Sequence, residues 1–204
     1  GPRFRLDGEV LRDSMLFVSQ LLVEKPTGKG VKPYQPAGIW ESIGFQGSTT
    51  LNYSQDKGDA LYRRTLYHFW KRTAPPPSMM TFDAPSREAC VVRRSRTNRP
   101  LQALALMNDV QYIEAARKLA ERIMTADPAT LTRSVSEGVP TASDRLALAF
   151  RLAAARQPSS DELHILSETF NTHLAKYQAD KSAAEKLVTL GESKRNESLD
   201  IAEL

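Results

Sequence analysis

Apolar residues recur at helical spacing along most of the chain and predict a series of amphipathic helices. The first is predicted over Leu6–Val23, where Val10, Phe17 and Leu21 fall on one stripe. Asp7 stands at the start of this stripe, where a carboxylate can accept hydrogen bonds from the open N–H groups of the first turn. Apolar and polar residues nowhere alternate over a useful strand length, so the pattern predicts an all-α fold.

The segment 26–58 breaks the helical pattern because it contains three prolines and six glycines. It is far longer than the connections of about 4–6 residues that usually join secondary-structure elements. Trp40, Phe45 and Tyr53 supply apolar anchors within it, which a disordered linker would not need. We therefore expect an irregular helical bundle with a long Gly/Pro-rich loop insertion, in which 26–58 packs as a flap.

After this loop, a second helix is predicted over Asp59–Thr73, with a strand as the alternative because the segment is rich in aromatic residues. The run Pro75–Pro77 ends it, since proline lacks the N–H of the helical hydrogen bond. Pro100 suits the first position of another helix. Asp109 is expected to follow a break in that helix and to cap the next one.

The later helices carry further start and stop signals. Segment 127–142 is polar and is predicted to be a linker. A helix follows it with Ser143 or Asp144 as the cap. Ser159–Glu162 matches the capping box S-x-x-E, and the helix that it opens is predicted to run to a C-cap at Gly191.

The chain has 204 residues, which fits one sizeable domain, and we expect a single helical domain over 1–204. It opens about a turn before a helix and ends in an apolar-periodic run without a cap, so we expect a piece of a longer protein, truncated at both ends. No stretch reaches the roughly 18 apolar residues of a membrane span. The single cysteine, Cys90, excludes an internal disulfide framework and is expected to be a small buried residue.

Positive charge is concentrated in the middle third of the chain. The formal net charge is +4, but the window 61–100 holds nine Lys/Arg against two Asp/Glu, a local net of 9 − 2 = +7, so the remainder carries 4 − 7 = −3. Eight of the nine are arginine, whose planar guanidinium favours bidentate contacts and buried pairs over a merely solvated surface. Three interpretations stay open: a network that pins loops to helices, a site for phosphate, sulfate or carboxylate, and a nucleic-acid face.

Candidate site residues follow from these charges and their neighbours. The ligand-binding candidates are Arg12, Arg63, Arg64, Tyr67, Arg72, Arg93, Arg94 and Asn98. Asp13 and Asp83 are the candidates for acid/base chemistry, although charged groups in partly buried places must be paired, which also gives them a structural explanation. No histidine pair has metal-ligand spacing, and no phosphate loop or haem motif occurs, so neither a metal nor a cofactor is predicted.

Five ordered motifs resemble one family. They are R-F-R-L-D-x-E-x-x-R-D-S at 3–14, R-R-T-L-Y at 63–67, W-K-R-T-x-P-P-P-S-M-x-T-F-D-A-P at 70–85, R-R-S-R-T-N-R-P-L-Q-A-L at 93–104 and L-M-N-D at 106–109. Together they resemble the planctomycete-type surface domain, a domain of unknown function, over about residues 3–175.

The resemblance implies an exported protein of the cell envelope or surface, in which this domain forms the C-terminal part. It also implies a preceding uncharacterised domain as a partner within the same polypeptide, and a c-type cytochrome domain. The corresponding haem-binding C-x-x-C-H motif is absent from this chain, so no haem ligand is implied here. The resemblance implies no catalytic residues.

Three functions remain as hypotheses. The first is a ligand- or partner-binding module whose arginines hold an anionic glycan, with Trp40 or Tyr67 stacked on sugar. The second is part of an enzyme active site, completed by the preceding domain and the cytochrome domain. The third is nucleic-acid binding through the window 63–99, which an exported context disfavours. The glycan hypothesis requires the clustered guanidinium groups to converge on one place.

Overall fold

The computed structural model of the chain describes residues 5–127 and 141–204. Within these residues the backbone forms seven α-helices and isolated bridges but no sheet, so the all-α prediction is confirmed. The helices are α1 (Gly8–Val18), α2 (Pro77–Thr81), α3 (Pro100–Asn108), α4 (Val110–Met124), α5 (Ala142–Ala154), α6 (Ser160–Ala179) and α7 (Lys181–Val188). Two compact units share them: unit 1 comprises Gly1–Phe17 and Leu21–Ile113, and unit 2 comprises Val18–Gln20 and Glu114–Leu204. No helix among the described residues is long and apolar enough to cross a bilayer.

Helix α1 is shorter than the predicted span Leu6–Val23, which is wrong at both ends. The helix ends at Val18, and Gln20 then takes a left-handed conformation with φ 61°. The chain turns there, so the amide of Leu22 donates to the carbonyl oxygen of Leu16 at 3.0 Å. Residues beyond this turn therefore leave the helix and enter the Gly/Pro-rich loop.

The predicted helix over Asp59–Thr73 is wrong, because two short 3-10 helices, Gly58–Tyr62 and Thr65–Tyr67, stand there instead. The rest of the segment is mostly extended, and His68 forms a parallel bridge with Val31. Some of its backbone groups thus pair with the preceding loop: the amide of Val31 donates to the carbonyl oxygen of Tyr67, and the amide of Phe69 donates to that of Val31. The aromatic content that left a strand as the alternative favours this extended arrangement.

The Gly/Pro-rich loop packs in unit 1 through its aromatic residues. Trp40 is only 1% exposed, and its ring centroid lies 5.0 Å from that of Tyr53 and 5.6 Å from that of Phe69. The ammonium groups of Lys32 and Lys71 lie over the Trp40 ring at 5.3 and 4.7 Å. Trp40 is therefore a core residue that binds cations of its own chain, and it presents no open face for stacking on sugar.

Helices α3 and α4 meet at the predicted break. Pro100 is the first residue of α3, which ends at Asn108, so both of these predictions are confirmed. Asp109 is extended, and its Oδ1 accepts a hydrogen bond from the amide of Gln111 at 3.0 Å, as expected of a cap. The buried residue of α3 is Gln102, whereas most of its apolar side chains are exposed.

Helix α5 begins at Ala142, the last residue of the predicted linker 127–142, of which residues 128–140 lie outside the described part of the chain. Its cap is Thr141, so the prediction of Ser143 or Asp144 as the cap is wrong. Asp144 is instead the third helical residue, and its carboxylate accepts from the amide of Thr141 at 2.9 Å. The capping-box pattern here starts two residues earlier than the predicted cap.

The capping box Ser159–Glu162 is confirmed at the start of α6. The helix predicted to run on to Gly191 is wrong, because it divides into α6 and α7. Asp180 separates them: it ends α6, and its Oδ1 accepts from the amide of Ala183 at 3.0 Å in the first turn of α7. A single residue therefore serves as the end of one helix and the cap of the next.

Buried carboxylates of α4 hold the C-terminal segment of unit 2. Glu114 is 1% exposed, and its Oε1 accepts from the amide of Ser193 at 2.6 Å. Glu121 accepts from the amide of Asn196 at 3.2 Å. Gly191 has φ 90° and passes so close to Glu114 that a Cβ atom there would lie 2.5 Å from Oε1. The chain can approach this carboxylate only because residue 191 has no side chain.

Candidate anion-binding site

Arg12 is a buried structural residue of unit 1. Its Nε donates to Oε1 of Gln111 at 3.0 Å, while Nη1 and Nη2 donate to the carbonyl oxygens of Arg63 and Leu61 at 2.9 and 2.7 Å. Burial lowers the pKa of the Arg12 guanidinium, and the neighbouring charge of Asp13 opposes that shift. These contacts fasten the segment after the Gly/Pro-rich loop to α1, and they leave the guanidinium turned toward its own chain.

Arg63 fastens the Gly/Pro-rich loop itself. It is 6% exposed, and its guanidinium donates to the carbonyl oxygens of Lys25 and Lys29, both at 2.9 Å. The Cζ atom of the same guanidinium lies 3.9 Å from the centroid of the Tyr67 ring, and the Tyr67 hydroxyl accepts a hydrogen bond from the amide of Thr27 at 3.0 Å. Two predicted ligand-binding residues thus lie together, with the backbone of their own loop as the group that they bind.

Asp13 ties α1 to the 3-10 helix Thr65–Tyr67. Its Oδ1 accepts from the amide and the hydroxyl of Thr65 at 2.7 and 2.6 Å, and Arg64 Nε lies 3.4 Å from Oδ2. Arg64 is 58% exposed, so this ion pair is a weak surface contact. The carboxylate serves here as an acceptor that fixes a turn.

The other predicted arginines lie apart from this set of contacts. Arg72 and Arg93 are exposed. Arg94 pairs with the start of α1 and the residue before it: its Nη1 lies 2.8 Å from Glu9 Oε2 and 3.6 Å from Asp7 Oδ2. The guanidinium groups of the middle third therefore divide into those that fasten loops and those that remain near the surface.

Three predicted residues, Asp83, Arg94 and Asn98, do come together around two adjoining clefts of unit 1. The larger cleft has a volume of about 310 Å³ and contains Asp83 and Asn98 in its walls, and the smaller has about 260 Å³ and contains Asp83 and Arg94. Arg99 lines both clefts. We call the larger cleft, with its walls formed by Arg5, Leu6, Leu11, Phe82, Asp83, Ser95, Arg96, Thr97, Asn98, Arg99, Gln102, Ala103 and Leu106, the arginine groove.

Asp83 shapes the loop that carries the arginines. It follows α2 in a left-handed conformation with φ 60°, which aspartate tolerates better than most residues. Its Oδ2 accepts from the amide of Thr97 at 2.6 Å, and both of its carboxylate oxygens lie within 2.9 Å of the Thr97 hydroxyl. The hydrogen bond from the Thr97 amide lowers the pKa of Asp83, with smaller contributions from the charges of Arg99 and Arg5. Asp83 therefore stays ionised and positions the loop.

Gln102 orders the other wall of the arginine groove. Its Nε2 donates to the carbonyl oxygen of Thr81 at 3.0 Å, and its Oε1 accepts from Arg5 Nη1 at 3.1 Å. A buried amide therefore holds an exposed guanidinium in place. The side chain of Arg96 is 52% exposed, and its Nη2 lies 3.8 Å from Oδ1 of Asp7.

The groove combines three kinds of surface. Arg5, Arg96 and Arg99 against Asp83 give its walls a net charge of 3 − 1 = +2. Neutral polar groups lie between the arginines, and the apolar side chains of the walls provide a surface with no charge. Such a set can bind a carboxylate or sulfate through guanidinium forks while an apolar part of the ligand packs beside it.

Sequence reasoning missed Arg5, Arg96, Arg99 and Gln102 as members of this site. The signal available for two of them was their position, because Arg96 and Arg99 come just before Pro100, the predicted start of a helix. Residues there are brought near the open N–H groups of the first helical turn, which favour anions. Nothing in the sequence pattern relates Arg5 to Gln102, which lies 97 positions away along the chain.

The described residues contain no group of three or more His, Cys, Asp or Glu side chains that could hold a metal ion. Cys90 is exposed, so the expectation of a buried cysteine is wrong: the segment around it is irregular and lies on the surface. His68 is buried, and neither ring nitrogen has a hydrogen-bond partner in the part of the chain that the structure covers. Burial, together with the charges of Arg12 and Arg87, lowers the pKa of His68 to about 3.

The chain matches one family model over residues 1–170, that of a protein of unknown function (DUF1553). This match confirms the expectation of a domain of unknown function. No curated protein and no solved structure matches the chain.

Proposed function

Since the chain belongs to the PSD1 family of proteins of unknown function, membership supplies no activity, and we propose from the geometry that unit 1 binds an anionic carbohydrate. The ligand that fits best is an oligosaccharide carrying carboxylate or sulfate groups, held in the arginine groove. The observation that carries the proposal is the juxtaposition of three arginines with apolar and neutral polar side chains in one cleft of about 310 Å³.

The guanidinium groups are the reason for proposing a negatively charged ligand. Arg5, Arg96 and Arg99 are exposed, and a guanidinium can form two parallel hydrogen bonds with one carboxylate or sulfate. Each hydrogen bond to a charged group contributes about 1.5–3 kcal/mol at most, and salt screens exposed pairs. We therefore expect binding that weakens as the salt concentration rises.

The other residues of the groove are the reason for proposing a carbohydrate rather than an inorganic anion. Asn98 offers an amide group that can pair with a hydroxyl, while Phe82 and Leu106 offer apolar surface that packs against the C–H groups of a sugar ring. An inorganic ion would leave this apolar surface without a partner. The motifs quoted above support the further proposal that the module acts in an exported cell-envelope protein, beside preceding domains of the same polypeptide.

Calorimetry with purified protein tests the proposal. A trigalacturonate or a sulfated trisaccharide should bind, and a neutral trisaccharide should bind at least tenfold more weakly. Arg96→Gln and Arg99→Gln should each weaken binding of the anionic sugar by about tenfold, equivalent to about 1.4 kcal/mol. Arg72→Gln is the matched control, because Arg72 is exposed and lies outside the groove.

Two results would overturn the proposal. Equal loss in Arg72→Gln and Arg96→Gln would indicate a diffuse basic surface instead of the groove. Tighter binding of a single-stranded oligonucleotide than of either anionic sugar would favour the nucleic-acid alternative, in which stacking and phosphate contacts dominate. The enzymatic alternative lacks a corresponding observation, since the carboxylates of Asp13 and Asp83 are both engaged with threonines of their own chain.

A further inference from the structure

Unit 2 contains an apolar groove between helices, separate from the arginine groove. Its walls come from α4, α5 and α6, and include Ile123, Leu146, Ala149, Phe170 and Leu174. The volume is about 350 Å³, within the range of about 300–1,000 Å³ that small-molecule pockets occupy. Ile123 belongs to the buried core of the unit, so the groove opens directly onto core packing.

A charged pair stands where the groove meets solvent. Arg145 and Glu203 both line it, and their side chains are 39% and 41% exposed. Arg145 Nη1 lies 3.7 Å from Glu203 Oε2, which is beyond hydrogen-bond length, so the two form a loose ion pair. Arg145 Nε is buried and has no hydrogen-bond partner among the described residues. Within the described part of the chain, the Nε donor of this guanidinium therefore has no acceptor.

We propose that this groove is a binding site for a small amphiphile that ends in a carboxylate, of the kind represented by a medium-chain alkanoate. The alkyl chain lies along the apolar walls, and the carboxylate accepts hydrogen bonds from Arg145. Guanidinium suits this role because its planar fork matches a carboxylate. Asn171, which also lines the groove, supplies a further amide donor.

Glu203 makes the proposal specific. Its carboxylate competes with the ligand for Arg145, since like charges repel and the loose pair occupies the same guanidinium. Removing this charge should strengthen binding of a carboxylate ligand. It should leave an uncharged ligand of the same length unaffected. If the groove recognised only apolar surface, removing the Glu203 charge would change the affinity for neither ligand.

The experiment is calorimetry of the full chain with decanoate and with decanol, both below the concentration at which they aggregate. Decanoate should bind more tightly than decanol. Arg145→Gln should weaken the binding of decanoate at least tenfold and change the affinity for decanol by no more than about twofold. Glu203→Gln should strengthen the binding of decanoate severalfold. Arg151→Gln, in the same helix but outside the groove, is the matched control and should change neither.

Circular dichroism of each variant shows whether its helices are intact. If Arg145→Gln fails to fold, Glu203→Gln still tests the proposal, because Glu203 is exposed and its substitution should leave the fold intact. The proposal is overturned if decanoate does not bind the wild-type chain, or if Glu203→Gln leaves its affinity unchanged. It is equally overturned if the chain forms a dimer that dissociates on Leu174→Asp, because the groove would then be covered by a second copy. The sugar-binding proposal concerns other residues, so its failure would leave these results unaffected.

Discussion

Replacing Gly191 by alanine tests whether the close approach of the C-terminal segment to α4 stabilises unit 2. The new Cβ would overlap the side chain of Glu114, lying 2.5 Å from its Oε1, and residue 191 would keep a left-handed φ of 90°. Glu114 is 1% exposed and accepts from the amide of Ser193, so it has little room to move without losing that hydrogen bond.

The expected cost has separate parts. A left-handed conformation costs a residue with a side chain about 1–2 kcal/mol. Overpacking costs about 1–3 kcal/mol, and the loss of the hydrogen bond to the Glu114 carboxylate adds about 1.5 kcal/mol or more. Since some relaxation will relieve the overlap, we expect Gly191→Ala to lower the free energy of unfolding by about 4 kcal/mol.

Urea unfolding followed by circular dichroism measures this change, and Gly38→Ala is the matched control. Gly38 has φ 84°, and a Cβ there would meet no described residue other than its chain neighbours within 4 Å, so that variant should show the backbone cost alone, about 1–2 kcal/mol. In a Glu114→Ala background, Gly191→Ala should likewise cost only the backbone part, because the overlapping carboxyl group is gone. Equal costs for Gly191→Ala and Gly38→Ala in the wild-type background would refute the reasoning.

Two further predictions concern unit 1. Arg12→Lys should lower the free energy of unfolding by about 3 kcal/mol, because an ammonium cannot reach both the carbonyl oxygen of Leu61 and the other acceptors of Arg12. Arg72→Lys, the control at an exposed position, should change it by less than about 0.5 kcal/mol. Urea unfolding followed by tryptophan fluorescence compares the two variants. The pKa of Asp83 is lower in the folded protein than its ordinary value of 3.8, so its contribution to stability is present above that pH and is lost as the pH falls through the folded pKa. The protection of the Thr97 amide against hydrogen exchange, relative to the intrinsic rate at each pH, should therefore fall in acid in the wild type, and Asp83→Asn should remove that pH dependence; an unchanged acid response in the variant would contradict the assigned role.

Local signals predicted some elements of the fold well. Pro100 and the capping box at Ser159 act within one helical turn, and the structure confirms both starts. The segment Asp59–Thr73 could not be predicted in the same way, because its conformation depends on bridges to a loop about 40 residues earlier. Long-range pairing overrides local helix preference there.

The candidate site shows the same division. Charge composition identified the middle third of the chain, and Asp83, Arg94 and Asn98 do line adjoining clefts. Composition could not tell those arginines that satisfy carbonyl groups, such as Arg63, from those that remain exposed, such as Arg96. That distinction depends on which backbone groups lack partners after folding, a property of the packed chain rather than of its sequence pattern.

The most direct test of the central claim is a titration of isotope-labelled protein with trigalacturonate, followed through the Nε–Hε signals of its arginines. The account predicts saturable shifts at Arg5, Arg96 and Arg99, with the Arg12 and Arg63 signals unmoved because both side chains are buried and their Nη groups donate to carbonyl oxygens of the chain. No saturable shift at the three groove arginines, or the largest shift at Arg72, would contradict it.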